Sequence, residues 1–167
     1  MKVTSKVFQV VRRFVRRDSG GTLAELAILV PFLAIMLAAV AEFGRLFQTY
    51  TTLTKGTRVA ARYLSNHQFD NDSKDKARSL VVCGKLTCAE GEVLVKGMSA
   101  AKVCIEATGA PSIETVTVRI PRATGGGCGA PHKYEPIFDI GALLHLQGYS
   151  LNVPLAPSTT MRYVLDP

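Results

Sequence analysis

The stretch GGTLAELAILVPFLAIMLAAVAEFGRLF, Gly20 to Phe47, decides the fold of this chain. Its central run, Leu26 to Ala41, contains no charged residue, but as a helix sixteen residues rise only about 24 Å, less than the roughly 30 Å of membrane hydrocarbon. Including Leu23 and the turn from Phe43 to Phe47 makes up the difference. We therefore predict one transmembrane helix over residues 21–47, with the acidic Glu25 near one membrane edge.

Charge sets the orientation of that helix. Residues 1–20 form a leader in which only Asp18 opposes six basic residues, so its net charge is +5. Positive residues that flank a first span stay in the cytoplasm, which puts residues 48–167 on the other side of the membrane. Of the chain's +7, only +2 remains after Gly20. The basic excess belongs to the leader, so we do not expect nucleic acid as a partner.

Four cysteines lie on the predicted exported side, where disulfides can form. Four cysteines allow three pairings, and we favour Cys83 with Cys88 and Cys104 with Cys128, because the short CGKLTC loop closes easily. A zinc site that adds His132 is the alternative. Structural zinc sites usually carry two clusters of closely spaced ligands, which this pattern lacks.

Two processing sites are conceivable. Ala39-Val40-Ala41 fits the A-x-A pattern of a secretory signal cleaved after Ala41, but the apolar stretch is long and begins with a carboxylate. The other site is the bond between Gly20 and Gly21, where the absence of a side chain leaves the bond open to a protease. Cleavage there would make Glu25 the fifth residue of the mature chain.

The stretch RRDSGGTLAELAILVPFLAIMLAAVAEFGRLFQTYTTLTKGTRVAARYL, residues 16–64, resembles the N-terminal region of TadE-like pseudopilins of the tight-adherence (Tad) pilus system. The resemblance rests on the basic flank, the glycine, Glu25, Pro31, the EFGR sequence at 42–45 and the AARY sequence at 60–63. More loosely, the closing PLAPSTTMRYV resembles the last strand of that family. Where the major pilins of this system commonly have an aromatic residue after the glutamate, this chain has Leu26, which indicates a minor pseudopilin.

The resemblance implies a fold, a maturation step and partners. The fold is a type IV pilin-like α+β structure, in which a long N-terminal helix packs on a small antiparallel sheet. A membrane-embedded prepilin peptidase would remove residues 1–20. The mature subunit would then be a single-pass inner-membrane protein with a periplasmic head, and its partners would be other pilin and pseudopilin subunits and the inner-membrane assembly platform for pilus biogenesis and adhesion.

Two charged positions in the helix are candidate assembly residues. A carboxylate inside a membrane costs free energy and usually has a partner, so we expect Glu25 to contact a free N-terminal amine, its own or a neighbour's. The alternative is that Glu25 only reaches toward the head groups. At the membrane exit, Glu42 and Arg45 share one helical face. They form either an intrahelical ion pair, which we favour, or a register pair with a partner helix.

The rest of the chain predicts an amphipathic extension and a head domain. Apolar residues spaced by three and four predict that the helix continues over residues 48–64, giving a rod of about 66 Å from Gly21 to Leu64. The head, residues 65–167, should begin with a short helix capped by Asp72 or Ser73 and continue with strands. Period-two patterns place these strands in GEVLVKG, AKVCIEA, ETVTVRI, SLNVPLA and TTMRYVL.

Other chemistry is weakly indicated in the head. Asp70, Asp72 and Asp75 form an acidic cluster, but it lacks the glycine and the bidentate glutamate of a calcium loop. Residues 134–148 are too short and polar for a second span, so they pack over the sheet or form an exposed apolar patch. We find no catalytic motif and expect no cofactor and no enzyme activity. A membrane-anchored or secreted extracytoplasmic binding domain is the alternative function.

Overall fold

The structure is a computed structural model, and it describes residues 18–109, 112–123, 128–138, 141 and 150–165. Most of the predicted leader, residues 1–17, and most of the apolar segment 134–148 lie outside the described residues. The chain divides into two compact units, one ending at Ala41 and the other beginning at Glu42.

Helix α1, Asp18–Ser65, begins in the first unit. Over residues 21–41 its large apolar side chains are mostly exposed to solvent, for example Leu23 at 64% and Ile28 at 77%. Pro31 lies within the helix. By length and composition alone this helix could cross a membrane. A long apolar helix near the N-terminus, as predicted from the sequence, is therefore confirmed.

In the second unit, one face of α1 enters the core. Leu53, Thr57, Ala60 and Leu64 are all at least 99% buried, as their spacing of three and four residues predicts. Tyr50, which lies three residues before Leu53 and continues the same spacing, is instead exposed. This face lies in one core cluster with Val116 and Val118 of the sheet.

The second helix, α2, is Asn71–Val82. Its N-cap is Asp70, whose carboxylate accepts a hydrogen bond from the Ser73 amide at 2.7 Å, so the capping residue is neither Asp72 nor Ser73 as predicted. Asp72 and Asp75 pair with cations of the same helix, at 2.6 and 2.7 Å. The three acidic residues of the cluster thus cap and stabilise a helix.

Helices α1 and α2 approach closely at Gly56. A Cβ atom added to Gly56 would lie 3.2 Å from Cα and 3.3 Å from the carbonyl oxygen of Val81. Glycine is thus the residue that lets the two backbones come together.

Five strands among the described residues form two antiparallel sheets. β1 (Cys104–Thr108), β2 (Thr115–Arg119) and β5 (Ser158–Arg162) make a three-stranded sheet in the order β1-β2-β5, and β3 (His132–Lys133) pairs with β4 (Pro154–Leu155). Val116 and Val118 face the core, while Thr115 and Thr117, which alternate with them, do not. The side-chain hydroxyls of Thr57 in α1 and Thr159 in β5 share a hydrogen bond of 3.2 Å. A long helix packed on a small antiparallel sheet confirms the predicted pilin-like α+β class.

One predicted strand is wrong. Residues 91–97 form turns and bends, with Gly91 and Gly97 in the left-handed region at φ of 81° and 75°. Because a strand needs negative φ throughout, these glycines end any extended run between them. A short 3₁₀ helix, Ala100–Lys102, follows and leads into β1.

Both disulfides close loops within the second unit. Cys83 pairs with Cys88 and Cys104 with Cys128, with Cα atoms 5.9 and 5.7 Å apart. These are the two pairs favoured from the sequence. No cysteine is free, so none supplies a thiolate for the alternative zinc site with His132.

Candidate functional site: the helix α1 carboxylates

The Gly20–Gly21 bond lies in the first turns of α1, which begins at Asp18. Apart from its chain neighbours and the nearby backbone of its own helix, no described atom lies within 4 Å of the position of a Cβ on Gly21. Glycine has a helix propensity about 1 kcal/mol poorer than alanine, so two successive glycines make this turn easier to open than the rest of the helix. The bond is thus sterically accessible, and its local helix is weak.

Glu25 lies one helical turn after Gly21 and is exposed. Within the part of the chain that the structure describes, its carboxylate forms no hydrogen bond and no ion pair. The surrounding side chains of the first unit are apolar and exposed: Leu23, Leu26, Ile28 and Leu29. The structure therefore presents one acidic group on an otherwise apolar helix surface.

Glu42 is in the opposite situation, since it is only 1% exposed. Its Oε1 accepts a hydrogen bond from the Tyr134 hydroxyl at 2.7 Å and another from the Ile137 amide at 3.0 Å. Both donors lie in the segment that follows β3, more than 90 residues along the chain. The carboxylate thus ties this segment to α1.

The pairing of Glu42 with Arg45 is the weaker of these contacts. Arg45 Nη1 lies 3.8 Å from Glu42 Oε2, and the arginine side chain is about half exposed. An ion pair with this separation and exposure contributes at most about 1 kcal/mol, because water screens it. The predicted intrahelical pair therefore exists beside two stronger contacts that the sequence did not indicate.

The pKa of Tyr134 reflects this burial. Removal of the phenol from water and its hydrogen bond to the Glu42 carboxylate raise the pKa to about 12. The hydroxyl therefore keeps its proton and donates at neutral pH.

The sequence contained a signal for the burial of Glu42. Glu42 lies one turn before Leu46, on the side of the helix that continues to Leu53 and Thr57.

The predicted site residues thus fall into separate groups. Gly20, Gly21 and Glu25 lie in the first unit, and Glu42 and Arg45 begin the second, as the spacing along one helix requires. His132, the residue that a zinc site would have used, is buried in β3. No group of three or more potential metal ligands comes together among the described residues.

A family model described as TadE-like protein matches residues 20–62. The match begins at the glycine pair and includes Glu25, Glu42 and Arg45. It ends within α1, so the sheets, α2 and both disulfides lie outside it. No curated protein and no solved structure gives a significant match.

Proposed function

We propose that this chain is a TadE-like minor pseudopilin of the tight-adherence pilus system that acts through assembly with other subunits, because residues 20–62 match the TadE-like family model. TadE-like proteins are structural pilus components, and this supports a role other than catalysis. The observation that carries the proposal is the exposed carboxylate of Glu25 on an exposed apolar helix.

The membrane anchor in this proposal is the first part of α1. Residues 21–41 rise about 31 Å as a helix, enough to cross the hydrocarbon without the following turn. Glu42 is covered by protein groups, Tyr134 and Ile137. We therefore place the exit from the inner membrane near Ala41, six residues before the Phe47 limit predicted from hydrophobicity. The basic leader faces the cytoplasm and the head faces the periplasm.

Maturation in this proposal is cleavage between Gly20 and Gly21 by a prepilin peptidase. The open space around Gly21 and the low helix propensity of the pair support this bond as the site. Cleavage removes the whole leader, including its six basic residues. It leaves a new amine four residues before Glu25.

Glu25 is the proposed assembly contact. A carboxylate within a membrane requires a compensating group, and none of the described residues supplies one. The amine of Gly21 in a neighbouring subunit, or in the same chain, is the cation of the right charge at the right depth. Pilin and pseudopilin subunits and the inner-membrane platform are then the partners.

N-terminal sequencing of the membrane-purified protein tests the maturation step. Cells with the prepilin peptidase should yield a chain that begins at Gly21, and cells without it should retain Met1. A chain beginning at Glu42 would instead support secretory cleavage after Ala41, and an uncleaved chain in both strains would rule out the peptidase.

Replacement of Glu25 tests the assembly step. Glu25→Ala should insert and fold normally but reduce surface pili, because the compensating contact is lost. Glu90→Ala removes an exposed glutamate of the head and serves as the matched control. Wild-type piliation in the Glu25→Ala strain would contradict the assembly role.

A further inference from the structure

A polar cleft of about 380 Å³ lies within the second unit. Its walls are the exposed side of α1 from Arg45 to Thr52, the turn at 94–96 and the segment 132–137. Small-molecule sites typically have volumes of about 300 to 1,000 Å³. The cleft is therefore large enough for one monosaccharide-sized ligand.

His132, which lines this cleft, has an unsatisfied polar atom. The residue is 3% exposed, and its Nδ1 has no hydrogen-bond partner among the described residues. The backbone of Gly97 has the smallest influence on the pKa of the ring, as a hydrogen-bond partner, and since Nδ1 has no partner among the described residues we assign that bond to Nε2–H. Burial, and then the charge of Lys102, lower the pKa of His132, which keeps the ring neutral at pH 7. In a neutral ring that donates through Nε2, Nδ1 is an acceptor that lacks a donor.

Two threonines of α1 add further acceptors. The Thr49 hydroxyl donates to the Arg45 carbonyl at 2.9 Å, and the Thr52 hydroxyl donates to the Gln48 carbonyl at 2.8 Å. Because each hydroxyl proton is donated to the helix backbone in this arrangement, each oxygen keeps its lone pairs to accept a hydrogen bond from a ligand. A ligand that satisfies these atoms and His132 Nδ1 must carry several donors, as a polyhydroxylated molecule does.

The charges around the cleft favour an anion. Arg45, Lys96 and Lys133 line it, opposed by Glu135. Glu135 lies 3.7 Å from Lys96, which leaves Lys133 without an ion pair among the described residues and Arg45 with only its 3.8 Å contact to Glu42. Arg45 is held only weakly by Glu42, so its guanidinium can donate to a ligand oxygen.

We propose that this cleft binds an acidic polyol, that is, a sugar or glycerol unit that carries a carboxylate or phosphate. The hydroxyls would donate to His132 Nδ1 and the threonine oxygens, while the acidic group would face Arg45 and Lys133. The site goes beyond the assembly role of α1, because none of its groups depends on Gly20 cleavage or on Glu25. Its ligand could be a free sugar acid, an acidic polysaccharide unit or a glycerophosphate head group.

Binding can be measured by NMR on the full chain labelled with ¹⁵N-histidine, in a detergent without sugar or phosphate such as lauryldimethylamine oxide. The His132 signal is assigned by its loss in His132→Gln. Sodium D-glucuronate and glycerol 1-phosphate are the acidic polyol probes, and glucose and acetate are the matched neutral polyol and plain acid. We expect a saturable shift of Nδ1 with a Kd of about 1 mM or tighter for at least one acidic polyol.

Selectivity decides the outcome. Glucose and acetate should each bind at least tenfold more weakly than the better acidic polyol, and the better probe then identifies a sugar acid or a head group. Lys133→Gln and Thr52→Val should each weaken binding about tenfold, whereas Lys55→Gln, an exposed change on the same helix, should not. Equal binding of acetate, or no saturable shift with either acidic polyol, would overturn the proposal.

Discussion

The Tyr134 hydroxyl donates to Glu42 Oε1 at 2.7 Å, across 92 residues of sequence and in the absence of solvent. Glu42 is the first residue of the second compact unit. Its carboxylate is held by a phenol and a backbone amide of one segment, so the start of this unit is fixed by polar contacts as well as by its apolar core.

Tyr134→Phe should destabilise the second unit by about 1.5 to 3 kcal/mol, because it removes a donor from a buried charge. Chemical denaturation of the full chain, followed by the fluorescence of the remaining tyrosines, measures the change. Tyr163→Phe is the control, because it removes a hydrogen bond of 3.0 Å from the tyrosine hydroxyl to the uncharged His67 carbonyl. Its loss of stability should be smaller, about 1 kcal/mol. Equal costs for the two variants would show that the Glu42 charge adds nothing.

Gly56→Ala should lower the free energy of unfolding by about 1 to 3 kcal/mol, because the new methyl group would press on the Val81 backbone. Gly44→Ala is the matched change, since its added Cβ would meet no atom within 4 Å. There the better helix propensity of alanine should stabilise the chain by up to about 1 kcal/mol. Thermal unfolding of both variants compares them, and a stabilised Gly56→Ala would show that α2 can move away.

The two disulfides should differ in their contribution. The chain-entropy relation predicts about 3.5 kcal/mol for the loop closed by Cys104 and Cys128 and about 2 kcal/mol for that closed by Cys83 and Cys88, since the sequence separations are 24 and 5. Replacing each pair with alanine and measuring denaturation under oxidising conditions tests the order. A larger loss from the shorter loop would mean that local geometry outweighs loop length.

The second unit should lose stability as the pH falls from 7 to about 5.5. Because the folded state lowers the pKa of His132 below its ordinary value of 6.5, the unfolded chain binds more protons in this window, so protonation favours unfolding. The lowered pKa values of Glu92 and Glu106 also make the free energy of unfolding depend on pH, but only at lower pH, below the ordinary glutamate value of 4.5.

His132→Gln isolates this effect, because glutamine keeps a donor for Gly97 but does not titrate. Its stability should change less between pH 7 and 5.5 than that of the wild type, as measured by denaturant titration at each pH. His67→Gln, at an exposed histidine, is the control. Parallel pH profiles for His132→Gln and the wild type would contradict the assignment.

Local features of the chain could be predicted because they depend on neighbours in the sequence. The spacing of Leu53, Thr57 and Leu64 indicates a buried helical face whatever covers it. The alternation around Val116 and Val118 likewise indicates a strand. The same reasoning failed over residues 91–97, where apolar residues alternate but two glycines adopt positive φ. It also missed β3, because a strand of two residues has no period to detect.

The sequence by itself determined the apolar helix, the isolated Glu25, the basic N-terminal stretch and the match of residues 20–62 to the TadE-like family model, because each is a property of consecutive residues. Only the tertiary structure decided what Glu42 and His132 do. Glu42 and Arg45 lie as a pair on one helix, yet the closest partner of Glu42 is Tyr134. The unsatisfied Nδ1 of His132 exists because the fold buries the ring without giving that atom a partner among the described residues. Partners so distant in sequence are selected by packing, which no local pattern encodes.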